Sequence, residues 1–195
     1  MNSVLIEIKN NVVKNQYLFV GGVVTFIIGV LLGLFLPSVK AVEEIFNVFA
    51  VDYFKSVTDI NLGAFKILFS RLFNSFLLIL FVSLLCTNIY TFYINFIIIL
   101  YRGFIIGYTF IVFVISLGFT GIMTYLFLVL VQNVIVTFAL ILLLVNVYDK
   151  LICKQKYYYK ILFNYSIISY VVCIIAAVIE VILIISFFKP INAKF

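Results

Sequence analysis

A chain of 195 residues that is 67% hydrophobic and 10% charged, with a mean hydropathy of +1.34, lies far from a soluble domain, where roughly 45–50% apolar and about 25% charged residues are normal. That composition excludes a soluble globular fold and indicates an integral membrane protein. The net charge of +6 does not indicate nucleic-acid binding, because the lysines flank apolar spans, where anionic headgroups and the orientation rule account for them.

The first segment, Met1 to Gln16, reads as a short polar arm carrying Lys9 and Lys14. It leads into an apolar run over 17–36 that ends at Pro37. About 20 residues at 1.5 Å each cross roughly 30 Å of hydrocarbon, more than a signal-peptide core needs, and no small-x-small cleavage pattern follows. The run therefore reads as a retained first helix. Gly22, Gly29 and Gly33 recur at seven and four residues, which places them on roughly one face. They either admit a close helix neighbour or reflect the general frequency of glycine in membrane helices.

Residues 38–71 hold four acids and four bases. Val42, Ile45, Phe46, Phe49, Tyr53, Phe54 and Val57 follow helical spacing with polar residues largely opposite. This pattern predicts an amphipathic helix on the membrane surface or capping the bundle, with partner docking as its functional alternative. Further spans are predicted at about 72–85, 89–115, 122–147 and 161–188, with breaks at Cys86-Thr87-Asn88, at Gly118-Phe119-Thr120-Gly121 and at the basic, tyrosine-rich stretch Tyr148 to Lys160. The expected fold is all-α, one integral membrane domain over 1–195 with five transmembrane helices and one interfacial helix. Six lysines or arginines fall on each side, so the density of the Tyr148 to Lys160 cluster sets the orientation, with the N-terminus cytoplasmic and 38–71 extracytoplasmic.

Several polar residues fall at membrane depth. Arg102 precedes Gly103-x-x-x-Gly107, Gln132 adjoins Asn133, and Glu180 is the acid of the last span; Asn74 and Ser75 lie nearer one end. An arginine at a helix centre costs roughly 2.5–3.5 kcal/mol on insertion scales, so Arg102 is expected to face protein or water. Arg102 and Glu180 lie at depths differing by roughly 6 Å, which the arginine can span, and an ion pair between them is expected, with snorkelling as the alternative. Gln132 and Asn133 point about 100° apart, so one faces the core while the other meets a flanking helix. Glycines four apart form a groove for a neighbouring backbone.

Catalytic chemistry has few candidates. The chain has no histidine, and its three cysteines, Cys86, Cys153 and Cys173, form no C-x-x-C pair. The expectation is no enzyme, no catalytic residue, no metal and no cofactor.

The stretch from Arg102 to Thr109, with Gly103 and Gly107, followed some 25 residues on by Val131-Gln132-Asn133, resembles the stage II sporulation protein M family of small membrane proteins. The family often has Pro-Gln-Asn where this chain has Val131. The early glycine-rich helix, the amphipathic segment and five spans extend the likeness over most of the chain. The resemblance implies a non-catalytic scaffold in the bacterial cell membrane that anchors the peptidoglycan-degrading stage II sporulation proteins D and P, or similar cell-wall hydrolases. Membrane lipids are the other expected partner, and nucleic acid is not one. The competing expectation is a small transporter or permease subunit in which Arg102, Gln132, Asn133 and Glu180 line a path.

Overall fold

The computed structural model of the chain describes residues 2–35, 64–126, 130–153 and 157–192. Among them every regular element is helical: α1 (Asn2–Lys14), α2 (Gln16–Phe35), α3 (Ala64–Leu85), α4 (Ile89–Phe92), α5 (Ile94–Tyr125), α6 (Val131–Ile152) and α7 (Tyr158–Asn192). Five helical segments are long and apolar enough to cross a membrane, namely Gln16–Phe35, Leu68–Leu85, Ile89–Ile115, Val131–Ile152 and Tyr158–Leu183. The fold is therefore an all-α bundle that fits a multi-pass membrane protein. Its outer faces carry Val20, Ile27, Leu80, Ile97 and Phe163, all exposed, as suits side chains whose surroundings are hydrocarbon rather than water.

The helices form two groups around α6, whose span is the most enclosed of the five. The parallel pair α2 and α5 makes the closest packing in the molecule, and α7 packs between α6 and α3. Leu140, Leu143 and Leu144 of α6, with Ala176 of α7, Val82 of α3 and Ile99 of α5, form a continuous core.

Three features differ from the sequence expectation. The polar arm is a helix: Ile8 and Val12 of α1 pack on the core, Asn11 Nδ2 donates to Asn146 Oδ1 at 3.0 Å, and Lys14 Nζ lies 2.9 Å from Asp149 Oδ2. Its docking face combines the apolar Ile8 and Val12 with Asn11, so the arm as a whole reads as polar by mean hydropathy. The break at Gly118 is also sharper than a simple end of helix. Gly118 has φ 57° and ψ −133°, a region open to glycine and rarely to other residues. The chain reverses there, and Tyr125 Oη donates to the Ile106 carbonyl at 2.8 Å. In a straight helix these residues would stand about 28 Å apart. Residues 119–125 thus return along α5, and the fourth span begins at Val131 rather than Ile122. Most of the predicted amphipathic segment 38–71 lies outside the described residues, and its last part, from Ala64, already belongs to α3.

The turn predicted at Cys86-Thr87-Asn88 is tightly built. Asn88 caps the single turn α4 by accepting from the Tyr90 amide, and Thr91 Oγ1 donates to the Leu85 carbonyl at 2.6 Å. Tyr158 Oη donates to the Cys86 carbonyl, which fastens the start of α7 to the same turn.

Candidate functional site

The glycines set the geometry of the site. An ideal Cβ on Gly29 would approach the Leu100 carbonyl oxygen to under 3.0 Å, and one on Gly33 would do the same to that of Phe104. The relation is reciprocal: a Cβ on Gly103 would meet the Phe26 carbonyl oxygen, and one on Gly107 that of Val30. Such contacts are closer than real Cβ atoms make, so the α2 and α5 backbones lie directly against each other along this seam. Gly22, the third glycine of the α2 face, meets the Ile141 side chain of α6, with Cγ2 3.1 Å from an added Cβ. The expected close approach of a neighbouring helix is thus present at all five positions, with two different neighbours.

With Gly103 and Gly107 fixed against α2, the helical period turns Arg102 toward the interior of the bundle, on the side of the buried Ile99, Ile106 and Thr109. There Arg102 Nη1 donates to Asn133 Oδ1 of α6 at 3.1 Å. Gln132, one residue earlier, is buried. The pair divides as the 100° spacing requires, with Gln132 in the core and Asn133 reaching the neighbouring helix. Thr137 Oγ1 donates to the Asn133 carbonyl at 2.8 Å, a bond along α6 itself.

The expected Arg102–Glu180 ion pair is not formed. Glu180, 2% exposed, has Oε1 at 3.2 Å from Arg71 Nη2 of α3. The physical reason is the length of α3: it begins at Ala64, so Arg71 stands inside the helix beside α7, whereas the sequence reading counts it with the segment 38–71 that leads into the second span. A carboxylate removed from water needs a cation at close range, and Arg71 supplies it. Glu180 Oε2 is buried with no hydrogen-bond partner among the described residues.

Sequence reasoning also missed Asn11, Asn15 and Asn146. Asn15 is buried at the α1–α2 turn, and its Nδ2 lies 3.5 Å from the Val145 carbonyl. The available signals were asparagine at positions 11 and 15 and the apolar pair Ile8 and Val12, each spaced by four residues. Ser83 and Ser166 share a hydrogen bond of 2.7 Å between α3 and α7.

Among the described residues no group of three or more His, Cys, Asp or Glu side chains is arranged to hold a metal ion. Cys86 and Cys173 are buried and Cys153 is exposed, all as free thiols. Chemically, the arrangement joins helices: two backbones in contact, a guanidinium on an amide, and a buried carboxylate on a second guanidinium. No family model matches the chain, and no curated protein or solved structure matches it either.

Proposed function

We propose that the chain is a non-catalytic scaffold of the bacterial cell membrane, with a cytoplasmic N-terminus, that anchors or localises peptidoglycan-remodelling proteins. The observation that carries this reading is that Arg102 is bonded to Asn133 beside a seam of four glycines, and Arg71 is paired with Glu180, each across two helices. Polar groups used in this way hold a bundle in one arrangement and leave its outer faces to partners. The likeness of the Arg102 to Thr109 stretch to the stage II sporulation protein M family supports the choice of partners, namely the stage II sporulation proteins D and P or similar cell-wall hydrolases.

A transporter or permease subunit is the second reading, and one observation favours it. Oε2 of Glu180, without a hydrogen-bond partner among the described residues, is a group that a proton or a transported cation could engage. Crosslinking in intact cells, followed by purification of the tagged chain in detergent, separates the two. The scaffold predicts recovery of cell-wall hydrolases, and recovery of an ATPase in their place would overturn it.

A further inference from the structure

A groove of about 400 Å³ lies between α3 and α7. Its α3 wall runs from Phe76 to Thr87 and its α7 wall from Tyr159 to Tyr170. Each wall covers eleven residue steps, about 16 Å at 1.5 Å per residue, or half of a hydrocarbon core roughly 30 Å thick. The groove therefore has the depth of one leaflet. It is closed at the membrane centre by the edge-to-face contact of Phe76 and Tyr170, with ring centroids 5.6 Å apart. Ser83 and Ser166 are joined within it, which keeps their hydroxyls from standing unpaired in an apolar space. The opposite end opens at Thr87 and Tyr159, where the chain turns at the membrane surface.

That open end is basic. Lys160 is exposed and lies next to Tyr159 in the first turn of α7, and Lys150 stands in the last turn of α6, where the neighbouring Asp149 is already paired with Lys14. Lysines beside a membrane surface attract anionic headgroups.

We infer that this groove is a binding site for an anionic phospholipid, which lays one acyl chain between α3 and α7 and sets its phosphate near Lys160. Leaflet depth selects an acyl chain as the occupant, and the basic mouth selects the headgroup charge. The inference stands apart from the scaffold reading, since either a scaffold or a transporter could hold such a lipid.

The test uses the full-length chain in lipid nanodiscs of equimolar phosphatidylglycerol and phosphatidylcholine, released into native mass spectrometry. The expected result is a retained lipid adduct in which phosphatidylglycerol exceeds phosphatidylcholine. Lys160→Gln should reduce that preference by about fivefold, the loss of one basic contact at a membrane surface. Ile167→Trp, which fills the groove from the α7 wall, and Leu80→Trp, which fills it from the α3 wall, should each remove most of the adduct. Leu77→Trp, on the exposed face of α3 outside the groove, should leave it intact. Thermal midpoints of all four variants report whether they fold. Retention of both lipids in equal amounts, an adduct unaffected by both folded groove-filling variants, absence of an adduct, or a second copy of the chain in its place would overturn the inference.

Discussion

Arg71 Nη2 stands 3.2 Å from Oε1 of Glu180, joining α3 to α7 through the one buried acid of the last span. Breaking a buried pair by removing one partner leaves an uncompensated charge and costs about 3–5 kcal/mol, whereas replacing both with apolar residues can be close to neutral. Arg71→Leu alone should therefore destabilise strongly, and Arg71→Leu with Glu180→Leu should recover most of the loss. Unfolding of the purified protein in mixed micelles measures both. In the same assay Arg102→Gln and Glu180→Gln should add without coupling, because Arg102 bonds to Asn133 and not to the acid.

The glycine seam predicts a graded series. Gly29→Ala, Gly33→Ala, Gly103→Ala and Gly107→Ala each push a methyl group into the facing backbone, and overpacking of this kind costs about 1–3 kcal/mol. Gly21→Ala is the internal control: its added Cβ would meet nothing nearer than Phe96 Cε1 at 3.8 Å, so it should be tolerated. Gly118→Ala should also destabilise, by about 1–3 kcal/mol, for a different reason. Space is open around Gly118, but its φ of 57° strains any residue with a Cβ. Thermal midpoints of the six variants distinguish crowding from backbone strain.

Much of this framework is legible in the sequence, because apolar length marks spans and glycine spacing marks a face whatever the partner. Gly22, Gly29 and Gly33 fall on one side of α2 by period alone, and the 100° between Gln132 and Asn133 separates core from neighbour in the same way. Partner choice is harder to read. Depth counting lets Arg102 reach Glu180, yet it cannot show that α3 begins early enough to bring Arg71 there first. The break at Gly118 is visible as a glycine, while the reversal that returns Tyr125 to Ile106 depends on a single dihedral. The α1 docking face escapes a mean hydropathy because Ile8 and Val12 are interleaved with Asn11 and other polar residues.

The three thiols should report both burial and sidedness. Burial pushes the Cys86 thiol up from 9.0 to about 12, so at neutral pH it holds its proton and is a poor nucleophile. Cys86 and Cys173 are buried whereas Cys153 is exposed. Maleimide should label Cys153 in the folded protein and the other two after denaturation, as read by mass spectrometry. With a cytoplasmic N-terminus, a membrane-impermeant maleimide should spare Cys153 in intact cells and reach it in inverted vesicles.

The Lys14–Asp149 contact predicts a small, salt-sensitive pH effect. The hydrogen bond and charge of Asp149 hold the Lys14 ammonium above its usual value of 10.5. A raised lysine value adds stability that is fully present below pH 10.5 and is lost as pH rises through the higher folded-state value. Lys14 is exposed, so salt screens the pair. Lys14→Gln should remove this small contribution from the neutral region, and with it the fall in stability at the alkaline end.

In the proposed scaffold, Arg102 and Asn133 fasten helices inside a dry bundle. The dryness of that site is measured by placing a cysteine at Thr137, buried one turn from Asn133, in a chain whose Cys86, Cys153 and Cys173 are replaced by alanine. The folded protein, reconstituted in vesicles, is then exposed to a charged, membrane-impermeant thiol reagent from each side in turn. The expected result is no modification from either side until the protein is denatured. Rapid modification of the folded protein would place water at Arg102, as a transport path requires, and would contradict the scaffold.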